Sequence, residues 1–236
     1  MSSLLDPGQR TGIVDLAQVS RADILQVGNK AALLGELLQA QLPAIKGLVV
    51  CADSCAGLRA SREFSPELLA QLEERLDHVL AGSTAFAVRS SIVDLPGTRP
   101  PPLSQGQLAL GQPHCEYYVP RDALPIAIIA CASACLDAPG AGGSAAILIH
   151  PMVNADISGV AFTGGISSGD PSDFLVESCW GLGRGLADGN TDPDRYQLDP
   201  NFKVQSRQRG RKQHKLDPQL AGTLVSVNET ERLAWT

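Results

Sequence analysis

Aromatic residues make up only 4% of this 236-residue sequence. So few rings exclude a base-stacking platform or an aromatic sugar cleft as the basis of its function. Charged residues are sparse at 19%, and the net charge of −6 argues against nucleic acid as the general partner. Long apolar runs are missing too. The longest, Ala123 to Cys135, contains Pro125 and falls short of the roughly 20 residues that a membrane span needs. No membrane partner is therefore expected. The six cysteines lack zinc-ribbon spacing, because Cys51/Cys55 and Cys131/Cys135 each stand four apart, and no metal site is expected from them. No secretory leader is read at the start of the sequence, which implies reduced thiols and a cytoplasmic protein.

What is present is ample core material. Hydrophobic residues reach 44%, enough for one large domain or two lobes. Ile13–Leu16 reads as an opening strand. Leucines at 33, 34, 37 and 38 line one face of a helix that opens after Gly28 and ends before Pro43. Gly47–Cys51 is a second strand, with Asp53 or Ser54 as N-cap of a short helix to Ala60. Ser65-Pro66 starts a longer helix with leucines at 68, 69, 72, 76 and 80. Residues 94–113 hold five prolines and three glycines and read as a loop suited to a mobile lid.

Cys115–Val119 is a strand, followed by an apolar helix to Leu136 and a Gly-rich linker at 138–143. Ala145–His150 reads as a buried strand, with Ile157–Thr163 alternating like its antiparallel partner. Phe174–Glu177 follows as a strand, and Asp199-Pro200-Asn201 turns a hairpin. The division between lobes falls at 136–144, giving an N-terminal lobe at 1–138 and a C-terminal lobe at 144–236. Lys203, Arg207, Arg209, Arg211, Lys212 and Lys215 form a basic run without an acid, most simply a solvated hairpin face.

The chemistry-bearing segment is Ala87-Val88-Arg89-Ser90-Ser91-Ile92-Val93-Asp94-Leu95-Pro96-Gly97. Here Ala85–Val88 reads as a strand and Arg89-Ser90-Ser91 as the residues leaving it. A guanidinium beside two hydroxyls and loop N–H groups would cradle phosphate oxygens, while an ion pair with a serine turn is the plainer alternative. Lys30 opens a helix, where its ammonium and free N–H groups could meet an anion, or it is a surface lysine. Trp180-Gly181-Leu182-Gly183-Arg184-Gly185 lacks the long following helix that a dinucleotide fingerprint requires. Glu177 suits either a ribose hydroxyl or a nearby arginine. Met152 suits an adenine wall or core filling. Asp192, Asp194 and Arg195 form a charged turn that a structural role would explain.

The order of these segments carries a resemblance. Gly28-Asn29-Lys30-Ala31-Ala32-Leu33-Leu34-Gly35-Glu36-Leu37 resembles the opening of the ATP-binding domain of the phosphoenolpyruvate synthase and pyruvate phosphate dikinase family. The resemblance continues through Leu42-Pro43 with Gly47–Val50, then Ala87–Ser91 with Asp94–Gly97. It resumes at His150–Val153 and Asp156–Thr163, and closes with Val176–Gly183 and Pro193–Tyr196. It implies an α+β, ATP-grasp-like fold whose two lobes, with mixed and antiparallel sheets, close on ATP and Mg2+. By the same resemblance Lys30 and Arg89 would hold the phosphates and carry catalysis, and Ser90 and Ser91 would begin the loop over them. His150, Pro151, Met152 and Val153 would form the hinge against adenine, and Glu177 would face the nucleoside.

Departures qualify the expectation. The sequence stops at Ala234-Trp235-Thr236, before the family's metal-binding glutamate and Gln-x-Arg segment, so the fold is expected to be incomplete at this end. Ser104-Gln105-Gly106-Gln107 is a remnant of the usual lid motif, His150 replaces the usual hinge glutamine, and Arg184 replaces an acid. Two functions fit. One is an ATP-dependent phosphotransferase component, with a partner protein supplying the phosphohistidine and the acceptor site. The other is a degenerate, non-catalytic nucleotide-binding module that scaffolds or regulates a partner. An incomplete cleft with exposed apolar edges also leaves room for a homo-oligomer.

Overall fold

A computed structural model describes residues 10–93, 115–137, 144–164 and 173–228. The expected lid at 94–113, its Ser104–Gln107 remnant and the linker at 138–143 lie outside the described residues. The fold is mixed α+β, and the chain divides into two units, Met1–Met152 and Val153–Thr236.

In chain order the first unit contains β1 (Ile13–Asp15), α1 (Ile24–Gln39), β2 (Leu48–Val50), α2 (Ala52–Ser61) and α3 (Pro66–Val79). It continues with β3 (Ala85–Ile92), β4 (Cys115–Pro120), α4 (Leu124–Asp137) and β5 (Ala145–Pro151). The strands form one sheet in the order β1-β2-β5-β3-β4, with every neighbouring pair antiparallel. Strand alternation sends side chains to two cores. Ile13, Leu48, Val50, Phe86, Val88, Ile147 and Ile149 pack with residues of α2, α3 and α4. Val14, Val49, Ala146 and Leu148 pack with Val27, Ala31 and Ala32 of α1. Because β5 is covered on both sides, it reads as a continuous apolar run.

Pairing corrects the expected partner of β5. It sits between β2 and β3 of the first unit, not beside Ile157–Thr163, and the first unit therefore runs past the expected division at 136–144 to Met152. A second correction concerns α1. Leu33 and Leu37 are 45% and 38% exposed, and the buried stripe is Val27, Gly28, Ala31, Ala32 and Gly35. The reason is close approach: a Cβ on Gly35 would lie 2.1 Å from the Val19 carbonyl oxygen, so small residues face inward here. The capping of α2 differs as well. The helix starts at Ala52 with Cys51 as N-cap, and the Ser54 hydroxyl instead accepts from the Gly12 N–H at 2.9 Å. In α3, Ser65 caps as expected, accepting from Leu68 N–H at 3.2 Å, and Leu72, Leu76 and Leu80 are buried while Leu69 is exposed.

The second unit holds β6 (Ile157–Thr163), β7 (Phe174–Trp180), α5 (Arg184–Ala187), β8 (Asp194–Leu198), β9 (Val204–Gln208), β10 (His214–Asp217) and β11 (Thr223–Ser226). Strands β6 to β9 make a four-stranded antiparallel sheet, and β10–β11 form a hairpin. A bridge between Gly181 and Leu216 ties the hairpin to the end of β7. Part of the basic run is structural. Lys212 is 5% exposed; its Nζ donates to Asp194 Oδ2 at 2.5 Å and stands 5.5 Å over the Trp180 ring. Asp192 and Asp194 accept from the Arg211 and Gly210 N–H groups, which gives the charged turn its structural role. By contrast, β9 is exposed along its whole length. Among the described residues no helix is long and apolar enough to cross a membrane.

The break in α1 can be tested. Gly28 has φ +74°, and a Cβ there would sit 2.2 Å from the Ser91 carbonyl oxygen. Gly28→Ala is expected to lower unfolding stability by about 2–4 kcal/mol, seen as a lower denaturant midpoint with the slope unchanged. A midpoint equal to the parent's would refute the close docking of α1 on β3.

Candidate functional site

The backbone break at Gly28 lets α1 reach β3. Helical geometry resumes beyond it, and the Ser91 hydroxyl accepts from the Ala31 N–H at 3.1 Å, serving the resumed helix as a cap. One residue earlier, the Lys30 ammonium donates to the Ser90 carbonyl at 3.4 Å. The same docking therefore holds the first turn of the helix and delivers its lysine to the strand.

The expected strand end at Val88 is not observed. β3 runs on through Arg89, Ser90 and Ser91 to Ile92, paired with β5 along the whole way. Each serine finds a place in the fold, so the usual turn preference of serine is overridden. Alternation then separates the three polar residues. Arg89 and Ser91 lie on the α1 side, and Ser90 lies with Phe86 and Val88 on the side of the three helices. The Ser91 oxygen is already engaged by α1. Ser90 Oγ is buried without a partner among the described residues.

His150 joins this face from β5. It stands opposite Ala87, and Arg89 stands opposite Leu148, so the two are diagonal neighbours on one side of the sheet. His150 Nδ1 lies 2.9 Å from the Pro151 carbonyl oxygen. Its Nε2 and the Arg89 Nε are both buried without hydrogen-bond partners among the described residues. Burial is the main force holding the Lys30 ammonium below the usual lysine range; Arg89 adds to it, and the thiols of Cys115, Cys131 and Cys135 oppose it. Burial also pushes His150 below the usual histidine range; its bond to Pro151 works the other way, and Arg89 and Lys30 lower it further. Lys30 and Arg89 thus form a positive pair beside the buried His150 ring, with unused hydrogen-bonding groups at Arg89 and His150, and the pair is the electrostatic complement of an anion with several oxygens.

The other expected site residues are placed separately. Pro151 ends β5, and the Met152 N–H donates to the Ala85 carbonyl at 2.9 Å. Val153 begins the second unit and is 60% exposed. Glu177 lies on β7 of that unit, where its Oε1 accepts from Arg195 Nε at 2.6 Å, realising the arginine alternative. Sequence reasoning missed the Ser91 cap and the contact of His150 Nδ1 with the Pro151 carbonyl. The signal for the first was Gly28, a glycine inside an otherwise helical pattern.

Residues 139–235 match the family described as pyruvate phosphate dikinase, AMP/ATP-binding domain. That match covers about two fifths of the chain. The chain is also 37% identical over 90 residues to the prodigiosin synthesizing transferase PigC of Serratia marcescens, covering 37% of this chain and 10% of the relative. It is 37% identical over 51 residues, 22% of this chain and 4% of the relative, to a probable phosphoenolpyruvate synthase of Methanocaldococcus jannaschii. A probable phosphoenolpyruvate synthase of Methanothermobacter thermautotrophicus is 39% identical over 54 residues, 23% of this chain and 8% of the relative. The chain spans a tenth or less of the length of these relatives.

The cluster implies a conflict between binding and stability. Lys30→Met removes a buried cation beside Arg89 and is expected to stabilise the free protein by up to about 1 kcal/mol in thermal unfolding near pH 7. The sign follows from the lowered lysine: its penalty is full at neutral pH and fades as pH rises to the ordinary value of 10.5, where the unfolded chain also loses its proton. A variant less stable than the parent at pH 7 would show that the ammonium is compensated in the fold.

Proposed function

We propose that the chain is the ATP-binding component of a phosphotransferase of the phosphoenolpyruvate synthase and pyruvate phosphate dikinase type, built on an ATP-grasp-like fold. The observation that carries this reading is the pairing of Lys30 and Arg89 beside a buried, unanswered Arg89 Nε–H. Two cations held together at a cost to the free protein suit a polyphosphate, whose oxygens accept from both. The family match and the phosphoenolpyruvate synthase relatives support ATP as that polyphosphate.

In this reading Lys30 and Arg89 position the phosphates and neutralise charge as it develops in transfer, which is where catalysis of this kind gains most of its rate. Ser90 and Ser91 contribute as the strand that presents Arg89 and anchors Lys30. Pro151 and Met152 serve the nucleoside end of the ligand, as the resemblance implies for this segment. Mg2+ would accompany ATP. Among the described residues no cluster of three or more metal-ligating side chains forms, so magnesium is assigned to no residue and no step runs through it. The named relatives include a prodigiosin synthesizing transferase as well as probable phosphoenolpyruvate synthases. The proposal therefore commits to the ATP end of the reaction, with the phosphohistidine and acceptor functions supplied by a partner domain or chain in the cytoplasm.

Arg184 favours a second reading, a nucleotide-binding module without catalysis. It stands where the resemblance calls for an acid, and it is spent in an ion pair with Asp188 at 2.8 Å. Calorimetric titration of the full chain with ATP and Mg2+ tests the site. Lys30→Ala and Arg89→Ala are each expected to weaken ATP at least tenfold, about 1.4 kcal/mol; equal affinity in all three proteins would sink the assignment. Binding without AMP–ATP exchange, once a partner is supplied, would decide for the second reading.

A further inference from the structure

We propose that His150 is a third ligand of the bound polyphosphate and the group through which nucleotide binding takes up a proton. The inference deepens the nucleotide reading and rests on it. It begins from a tautomer. The Pro151 carbonyl can only accept, so His150 Nδ1, 2.9 Å away, carries the hydrogen of the neutral ring. The other ring nitrogen, Nε2, is then a bare lone pair, buried without a partner among the described residues.

Beside it stands a group with the opposite need. The diagonal register across β3 and β5 puts Arg89 next to His150, and the Arg89 Nε–H is a buried donor without an acceptor. A phosphate oxygen satisfies Arg89 and Lys30 but meets the His150 lone pair as one acceptor meets another. An unprotonated phosphate therefore fits the cluster only when one more hydrogen is present. The balance is simple: one proton leaves solvent and joins Nε2, the imidazolium donates from both nitrogens, and no covalent bond to phosphorus forms or breaks.

The surroundings favour that uptake once the anion is in place. The charged groups acting on His150 are Arg89 from β3 and Lys30 from α1. β2, on the other side of β5, offers only Leu48, Val49 and Val50 in register. Glu116 of β4 pairs with Val88 and belongs to the opposite face, while Glu36 of α1 is held by Arg21 at 3.0 Å. In the free protein the two cations repel a proton on His150. The polyphosphate neutralises them and adds an acceptor, so protonation becomes favourable only with nucleotide bound. His150 thereby links nucleotide affinity to pH.

The experiment is calorimetry of the full chain with ATP and excess Mg2+ between about pH 6.5 and 8, in two buffers of very different ionisation heat. Excess Mg2+ keeps the terminal phosphate of ATP unprotonated. Uptake of up to about one proton per nucleotide is expected in the parent, with affinity rising by as much as about tenfold per pH unit as pH falls. His150→Gln, which cannot take a proton, is expected to lose both the uptake and the pH dependence. Equal uptake in parent and variant, or none in a parent that binds ATP, overturns the His150 proposal and leaves the nucleotide reading standing. A parent that binds no ATP at any pH overturns both. A second measurement needs no variant. The His150 ring C–H resonance is expected to titrate at least about one pH unit higher with ATP than without, and an unmoved titration refutes the proposal.

Discussion

Everything distinctive about the first unit depends on the close seating of α1 against the second half of β3. Gly28 leaves helical geometry so that its backbone can lie on the Ser91 carbonyl, and the Ser91 hydroxyl then caps the resumed helix through Ala31. Side chains of ordinary size would hold helix and strand apart. With α1 this close, the Lys30 ammonium reaches the Ser90 carbonyl and shares the neighbourhood of Arg89 and His150. The site is thus a product of packing as much as of charge. Glycine and alanine create the proximity, and the proximity creates the electrostatics.

That arrangement carries a cost in the free protein, which the fold meets elsewhere. Like-charged Lys30 and Arg89 lie partly buried, and Arg89 and His150 each keep a polar atom without a partner among the described residues. Such groups destabilise unless a ligand answers them. The two cores, on either side of a sheet whose central strand β5 is covered on both faces, supply the stabilisation that makes the strain tolerable. Concentrated unmatched polarity on a rigid apolar frame is how binding sites are generally preorganised. The second unit is built differently, with a small core and a sheet whose outer strands are largely exposed.

Much of this was legible in the residues. Local signals placed the Ser65-Pro66 helix start, the Asp199-Pro200-Asn201 hairpin and the buried run of β5. What escaped depended on contacts far apart in the chain. Serine at 90 and 91 reads as a turn because its hydroxyl competes for the backbone; only the presence of α1 opposite Ser91 and of β5 alongside keeps the strand going. Half of the leucine pattern of α1 misleads: Leu34 and Leu38 pack against the core, but Leu33 and Leu37 face outward, because contact with the Val19 carbonyl admits nothing larger than Gly35. The pairing of β5 with β2 and β3 has no local signature at all. For the candidate site, Lys30 and Arg89 stood out as separate segments whose proximity only the fold reveals, and Glu177 was left between two partners. The second nitrogen of His150 could not be read, because its state is decided by a backbone carbonyl next door.

The inverted face of α1 also governs how this sequence can drift over generations. Leu33 and Leu37, which look like core, face outward, and polar replacements there would remove little from the interior. Gly28, Ala31 and Gly35 look replaceable, yet each sits where an added methyl group or more meets the rest of the fold. In this helix the small residues are the positions under constraint, Leu34 and Leu38 pack against the core, and only Leu33 and Leu37 are free to vary.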